Sequence, residues 1–242
     1  MSKVTKGFET NFTGWAFILA AILLWGGWAL SSHHIGEWIQ ASDFEEVGKN
    51  IWYWIWMYRF HIFGWVTMAI ASFALITILT QRPLRVVAFP GLGMIIVGTF
   101  SLAIANAFYY NFGAWGVGVV DAISNPDSNY PVSIVNEFKT VDEFMKSILA
   151  TNNYVTCFIR FGRIFSGVGF VLLGFAFIKW NLVSKVLGWF TLLFGVAAVA
   201  VILGIPDNFE IYKPLFHVKV VWLLAMGISL LRFGINSPET AE

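Results

Sequence analysis

Six apolar stretches, each about as long as a membrane-spanning helix, constrain this sequence more than any other feature. A helix needs about 20 residues to cross roughly 30 Å of hydrocarbon. The stretches are residues 13–31, 57–79, 86–110, 154–178, 183–204 and 214–233. Because unpaired backbone groups find no hydrogen-bond partner in hydrocarbon, such stretches cross a bilayer as helices. The sequence therefore predicts an all-α polytopic membrane protein, with a single six-helix bundle over residues 1–242.

The composition supports the same class and excludes others. Hydrophobic residues make up 58% of the chain and charged residues 12%, and the mean hydropathy is +0.72. These values lie far outside the range of soluble domains, which excludes a cytosolic enzyme, a nucleic-acid binder and a disordered adaptor. The lipid bilayer is therefore the first predicted partner. Cys157 is the only cysteine, so this chain by itself forms no internal disulfide and no thiolate metal cage.

The basic residues predict how the helices are oriented. Short cytoplasmic connections of membrane proteins carry an excess of Lys and Arg. In this chain basic residues occupy alternate connections: Lys3, Lys6, Arg82, Arg85, Lys179, Lys185 and Arg232. The intervening connections are acidic. We therefore predict that both termini are cytoplasmic and that the acidic loops are periplasmic, in a bacterial inner membrane.

Two of the outer loops, residues 32–56 and 111–153, are too long to be simple turns. In the first, residues 51–56 alternate aromatic with aliphatic side chains, which is typical of a helix lying at the membrane interface. The second opens with glycines at positions 113, 116 and 118 and contains a helical pattern at residues 141–149. A connection of this length with its own helix is typical of a lid or a docking surface. A plain cap over the helix ends is the alternative.

The predicted topology brings the polar residues of the membrane helices to one level. All four histidines, His33, His34, His61 and His217, fall near the outer ends of the helices. Several other polar residues fall at a similar depth: Arg59, Arg160, Arg163, Lys219, Asn106, Tyr109 and Tyr110. Ionisable groups in lipid are costly, so they normally face the bundle interior and hold one another or a ligand. A shared site in the outer leaflet is therefore predicted.

The histidines indicate which cofactors such a site holds. Two imidazoles on different helices at matching depth clamp a b-type haem in membrane cytochromes, and His61 and His217 satisfy that condition. The nearby cations then neutralise the two haem propionates. A copper or zinc ion is the alternative, with His33 or His34 as a third ligand. A site without any cofactor also stays open.

Arg160 and Arg163 indicate an anionic partner. They are three residues apart in the fourth stretch, and no Asp or Glu occurs in any of the six stretches. The anion is a cofactor, a lipid phosphate, a substrate, or a carboxylate from an outer loop or another subunit.

Part of the sequence resembles a known family. The second stretch contains Arg59-Phe60-His61 near its start and leads into a basic turn with Arg82 and Arg85. Residues 105–112 read Ala-Asn-Ala-Phe-Tyr-Tyr-Asn-Phe. This order resembles the Arg-x-His helix and the Ala-Asn…Phe-Tyr…Asn-Phe helix of styrene oxide isomerase. That family is a membrane helical bundle whose b-type haem acts on an epoxide through ferric iron.

The resemblance implies His61 as a haem ligand. It covers only the second and third stretches, and the chain departs from the family in one respect. Thr67 and the apolar neighbourhood of Gly98 stand where that family has a polar Asn and an Asp.

A second resemblance rests on residues 169–189, which contain Gly-Phe-x-x-Leu-Gly followed by Leu-Gly-Trp. With the acidic outer loop before it, this order is similar to a broad family of uncharacterised six-helix bacterial membrane proteins. It implies the bundle architecture and no activity.

Three functions therefore remain open from the sequence. The first is a haem-binding membrane protein for redox or isomerase-type chemistry. The second is a non-catalytic integral subunit that packs against other subunits of a larger membrane complex, or against a second copy of the chain. The third is a binding or transport protein for an anionic or aromatic small molecule. Whether the protein is an enzyme stays open.

Overall fold

The structure, a computed structural model, describes residues 4–5, 7–30, 41–79, 82–125, 127, 138–205 and 209–236. Those residues form seven helices and one short β-ladder. The helices are α1 (Phe8–Ala29), α2 (Ala41–Lys49), α3 (Ile51–Ile78), α4 (Arg82–Ser124), α5 (Val141–Lys179), α6 (Lys185–Gly204) and α7 (Phe209–Phe233). The strands are β1 (Val4–Thr5) and β2 (Ile235–Asn236).

The prediction of six apolar spans in a helical fold is confirmed. Among the described residues, α1 and α3 to α7 are long and apolar enough to cross a membrane. Large apolar side chains on these helices are exposed on the outside of the bundle, among them Leu19, Ile22, Phe73, Leu193 and Leu203. Continuous apolar exposure of this kind is unfavourable in water and favourable in lipid. The fold is that of an integral membrane protein.

The β-ladder joins the two ends of the chain. Val4 pairs with Asn236 and Thr5 pairs with Ile235, in antiparallel register. The start of α1 and the end of α7 therefore lie at one end of the bundle, which we call the terminal end. The opposite end, where α2 follows α1, is the α2 end. Since the spanning helices alternate in direction, Arg85 and Lys185 lie near the terminal end and α2 lies at the other.

Close helix packing depends on glycine at several crossings. A Cβ atom at Gly98 of α4 would lie 2.3 Å from Oγ of Ser166 on α5, and one at Gly162 would lie 2.7 Å from the Gly98 carbonyl oxygen. Gly14 of α1 and Gly227 of α7 allow a similar approach. Around the bundle the helices follow the order α7, α1, α3, α4, α5, α6.

Trp222 of α7 lies at the centre of the membrane core and is buried. Phe17 of α1 and Phe170 of α5 pack edge-on against its ring, with centroid distances of 5.6 and 4.7 Å. These contacts tie helices from opposite sides of the bundle together.

The outer loop expected at residues 111–153 is wrong for its first part, because α4 continues without a break to Ser124. The glycines that indicated a loop instead make room for aromatic rings. A Cβ atom at Gly113 would lie 2.0 Å from Nε1 of Trp54, and one at Gly116 would lie 2.1 Å from Cε1 of Phe44. The helix expected at residues 141–149 is confirmed as the first turns of α5.

The helix expected at residues 51–56 is present, but it is not a separate helix along the surface, because these residues are the first turns of α3. Their alternating pattern has a different cause. Trp54 is 3% exposed and packs against Tyr58 with ring centroids 4.6 Å apart, whereas Trp52 is 68% exposed. The pattern separates a buried face from an outward face of one continuous helix.

The α2 end carries a projection that we call the cap, formed by α2, residues 51–58, 112–124 and 141–155. With 43 residues, α4 is about 64 Å long, roughly twice the hydrocarbon thickness, so it must extend beyond the bilayer. The cap has its own apolar core: Phe44, Val47, Trp54, Phe112, Val119, Phe144 and Ile148.

A capping box begins α5. The side chain of Thr140 accepts a hydrogen bond from the backbone N–H of Glu143 at 3.2 Å, and the Glu143 carboxylate accepts one from the backbone N–H of Lys139 at 2.9 Å. Two backbone donors at the helix start are thereby satisfied. This local signal fixes the start of α5 in the cap.

Candidate functional site

A cavity of about 240 Å³ lies inside the half of the bundle nearer the α2 end. All six spanning helices contribute to its wall. On α5 the wall runs from Thr156 to Phe170, which are about 21 Å apart at 1.5 Å per residue. The cavity is therefore narrow and elongated, and it reaches from the cap towards the middle of the membrane.

Three cations line this cavity, and each lies against an aromatic ring. Cζ of Arg163 is 3.7 Å from the centroid of the Tyr212 ring. Nζ of Lys213 is 5.3 Å from the Trp28 ring, and Nζ of Lys219 is 4.9 Å from the Trp65 ring. Cation–π contacts of this kind hold a charge in place without neutralising it.

Lys219 is the most deeply placed of the lysines in the wall. Its side chain belongs to α7 and is only 8% exposed. It comes six positions after Lys213, so the two are about 9 Å apart along the helix axis. Among the described residues that line the cavity there is no Asp or Glu. The described part of the wall therefore contains basic side chains and no acidic ones.

Polar groups and aromatic rings both contribute to the wall of the cavity. Towards the α2 end, the Tyr109 hydroxyl donates a hydrogen bond to Oδ1 of Asn152 at 3.1 Å. Nearby, the Asn106 amide donates to the Leu102 carbonyl at 2.7 Å. Deeper in the cavity, large aromatic side chains line the wall together with Lys219: Trp65, Phe170 and Phe194. A ligand with a charged group and an apolar body matches this combination.

His61 of α3 lines the cavity and is 9% exposed. Its ring packs edge-on against Tyr58 and Phe216, with centroid distances of 6.3 and 5.8 Å. The backbone of α1 closes the other side, since a Cβ atom at Gly27 would lie 2.9 Å from Nε2 of His61. This approach leaves no space for a haem macrocycle at Nε2.

His217 faces different surroundings. It does not line the cavity, and its Nδ1 accepts a hydrogen bond from Nε1 of Trp25 at 3.2 Å. Its ring also packs edge-on against Trp28 at 4.8 Å. The residues present therefore do not fit a haem clamped between His61 and His217. The haem stays a prediction that this geometry does not support.

The alternative metal site also stays a prediction. His33 and His34 lie outside the described residues. Within the part of the chain that is described, no group of three or more His, Cys, Asp or Glu side chains is placed to hold a metal ion.

The predicted arginines separate into two groups. Arg163 lines the cavity, whereas Arg160 is exposed and Arg59 lies outside the wall. Arg59 donates a hydrogen bond to the Tyr110 hydroxyl at 3.3 Å and lies over the Trp56 ring at 5.3 Å. Residues three apart on a helix differ by about 60° in direction. That rotation places Arg163 in the cavity wall and leaves Arg160 outside it.

Sequence reasoning missed several residues of the wall: Trp28, Tyr58, Trp65, Tyr212 and Lys213. The aromatic ones had no distinguishing signal in a chain with 18% aromatic residues. Lys213 did have a distinguishing signal, because it is a second lysine six positions before Lys219 on the same helix. The predicted span began at residue 214, so Lys213 was excluded.

Comparisons with protein-family models, with curated proteins and with solved structures found no match to this chain. The resemblances to styrene oxide isomerase and to the uncharacterised six-helix family therefore stay predictions. The fold and the cavity define the class of the protein: a polytopic helical membrane protein with a cationic, aromatic-lined cavity.

Proposed function

We propose that this protein is a membrane binding or transport protein for a small organic anion with an apolar body. The observation that carries the proposal is Lys219. It is buried in a cavity whose described lining residues include three cations and no carboxylate.

The energetics favour an anionic ligand at this position. Burying an ion costs several kcal/mol even after the protein relaxes. A cation–π contact such as that between Lys219 and Trp65 returns only about 0.5–2 kcal/mol. A carboxylate ligand beside Lys219 supplies an opposite charge inside a region of low dielectric constant, where the attraction is strongest. The cavity is thus more complementary to an anion than to a neutral molecule.

The aromatic rings define the rest of the ligand. Phe170 and Phe194, together with the Trp65 ring that Lys219 contacts, provide apolar surface in the same cavity, suited to a hydrocarbon or aromatic body. At about 240 Å³ the cavity is slightly below the range of about 300–1,000 Å³ found for drug-sized ligands. A carboxylic acid with a short chain or a single ring has the appropriate size.

The proposal also includes an orientation. Because short cytoplasmic connections carry an excess of Lys and Arg, we propose that the terminal end is cytoplasmic and that the α2 end lies outside the cytoplasm. In a bacterial inner membrane, the cap and the polar end of the cavity then lie on the periplasmic side.

Equilibrium dialysis of the detergent-solubilised protein with radiolabelled benzoate and octanoate tests this function. We expect saturable binding of both carboxylates, with benzamide and octanamide competing at least about tenfold less well. Lys219→Gln should weaken carboxylate binding by about 10- to 100-fold, since hydrogen bonds to charged groups contribute about 1.5–3 kcal/mol.

Lys146→Gln is the matched control. Lys146 lies in the cap, pairs with Asp142 at 2.7 Å and is 74% exposed, so its replacement should leave binding unchanged. Equal affinities for the acids and their amides, or an unaffected Lys219→Gln variant, would refute the proposal.

A further inference from the structure

Helices α6 and α7 form the loosest contact in the ring of spanning helices. They are consecutive in the chain, yet they contact each other far less than each contacts its other neighbour. The glycines of these helices agree with this. Gly188 and Gly195 of α6 approach α5, and Gly227 of α7 approaches α1. Within the described residues, no glycine brings α6 close to α7.

One buried hydrogen bond crosses the space between α6 and α7, which we call the seam, and pockets lie on both sides of it. Nε1 of Trp222 donates to Oγ1 of Thr191 at 2.8 Å. On the side towards the α2 end, Ala198 of α6 and Leu215 of α7 line the cavity. On the side towards the terminal end, an apolar groove of about 280 Å³ lies between the same two helices.

The groove gives the seam an apolar wall near the terminal end. Phe190 of α6 and Ala225 of α7 are among its lining residues, and none of the described lining residues is charged. The charged part of the cavity and this apolar groove are thus neighbours along one helix pair. A molecule that occupied both would have a charged head and an extended hydrocarbon chain.

We propose that the ligand is a single-chain amphiphilic carboxylate dissolved in the bilayer, and that it enters the cavity sideways through the seam. This inference rests on the proposed function. The carboxylate lies at Lys219, and the chain leaves between α6 and α7 into lipid. Because the chain stays in an apolar environment throughout, no large cavity is needed to hold it, which accounts for the modest cavity volume.

A lateral route also removes the cost of passing through water. An apolar chain gains nothing by leaving the bilayer for the aqueous phase. A seam that opens directly to lipid lets the head enter the polar cavity while the chain stays outside. The alternative is a water-soluble anion that enters from the α2 end. Photolabelling distinguishes entry from the bilayer from entry at the α2 end.

Photolabelling in nanodiscs of zwitterionic lipid tests the route. Two palmitate probes are used, one with a diazirine at the terminal carbon and one with a diazirine next to the carboxylate. We expect the terminal probe to label residues of α6 and α7 at the seam, and the second probe to label residues of the cavity wall. An excess of unlabelled palmitate should remove both labels.

A pair of matched variants tests the seam itself. Ala198→Trp places a large ring where α6 lines the cavity, and Ala197→Trp places the same ring on the exposed face of α6. We expect the first variant to reduce labelling of the seam about tenfold and the second to leave it unchanged. Should Ala198→Trp fail to fold, the label map of the unmodified protein decides.

The possible results test the lateral route and the proposed anion binding separately. Competable terminal label spread over α1 and α3 would overturn the seam as the route. Binding of benzoate with no competable labelling by palmitate would overturn the amphiphile and leave the anion site intact. If neither carboxylate binds, the proposed function itself is refuted.

Discussion

Trp222 of α7 donates a hydrogen bond from its indole Nε1 to the hydroxyl oxygen of Thr191 on α6, at 2.8 Å, and both side chains are buried. The Thr191 hydroxyl in turn donates to the Leu187 carbonyl at 2.7 Å. This pair joins α6 and α7 between the cavity and the apolar groove. It therefore holds together two helices that otherwise contact each other little.

Removing the Thr191 hydroxyl should destabilise the protein. Thr191→Val leaves the buried Trp222 indole without its acceptor, which costs about 1–3 kcal/mol. Thermal unfolding in detergent should show a lower Tm. Thr77→Val is the control, because Thr77 is exposed and its hydroxyl bonds only to its own helix at Ala74. Similar Tm values for the two variants would show that the link between α6 and α7 contributes nothing.

The crossing of α4 and α5 should tolerate no side chain at Gly98. A Cβ atom there would lie 2.3 Å from Oγ of Ser166 and 2.6 Å from the Gly162 carbonyl oxygen. Overpacking of this kind costs about 1–3 kcal/mol, so Gly98→Ala should unfold at a lower temperature. At Gly93 of the same helix no atom lies within 4 Å of an added Cβ. Gly93→Ala should match or exceed the native stability, and a loss at Gly93 equal to that at Gly98 would contradict the described packing.

Reporter fusions should establish which side of the membrane each end of the bundle faces. A fusion after Glu242 should behave as cytoplasmic, because the basic connections lie at the terminal end. An insertion between Asn125 and Asp127, in the connection that leaves the cap, should behave as external. The orientation would be wrong if the C-terminal fusion were external, and the six-span topology would be wrong if the two reporters lay on one side.

The haem prediction and the anion proposal expect different spectra. A protein that binds haem through His61 shows a Soret band that His61→Ala abolishes or shifts. A protein that binds organic anions and no haem shows carboxylate binding without a Soret band. Absorption spectroscopy of the purified protein, followed by the same measurement on His61→Ala, decides between them.

The sequence predicted some parts of this fold well because their physical signal is simple. A run of about 20 apolar residues has few outcomes other than a membrane helix, so all six spans were found. The glycines at 113 and 116 were ambiguous, because glycine serves both in loops and where a helix meets a large ring. Only the positions of Phe44 and Trp54 resolve that choice, and they depend on tertiary packing.

The candidate site was predicted in part for a similar reason. Depth along the helices follows from the sequence, and His61, Arg163, Lys219, Asn106 and Tyr109 all line one cavity. The direction of each side chain around its helix does not follow from depth alone. His217 therefore accepts a hydrogen bond from Trp25 and does not line the cavity. Arg160 likewise lies outside the wall, although Arg163 lies within it.

Solid-state NMR of the protein in lipid tests most directly whether an anion lies at Lys219. The protein is labelled with ¹⁵N at lysine side chains and loaded with octanoate labelled with ¹³C at the carboxylate. The account predicts a dipolar coupling between that carbon and one ¹⁵N site, lost in Lys219→Gln and retained in Lys146→Gln. A coupling that persists in Lys219→Gln, or bound octanoate that couples to no lysine, would contradict the assignment of this cavity as an anion site.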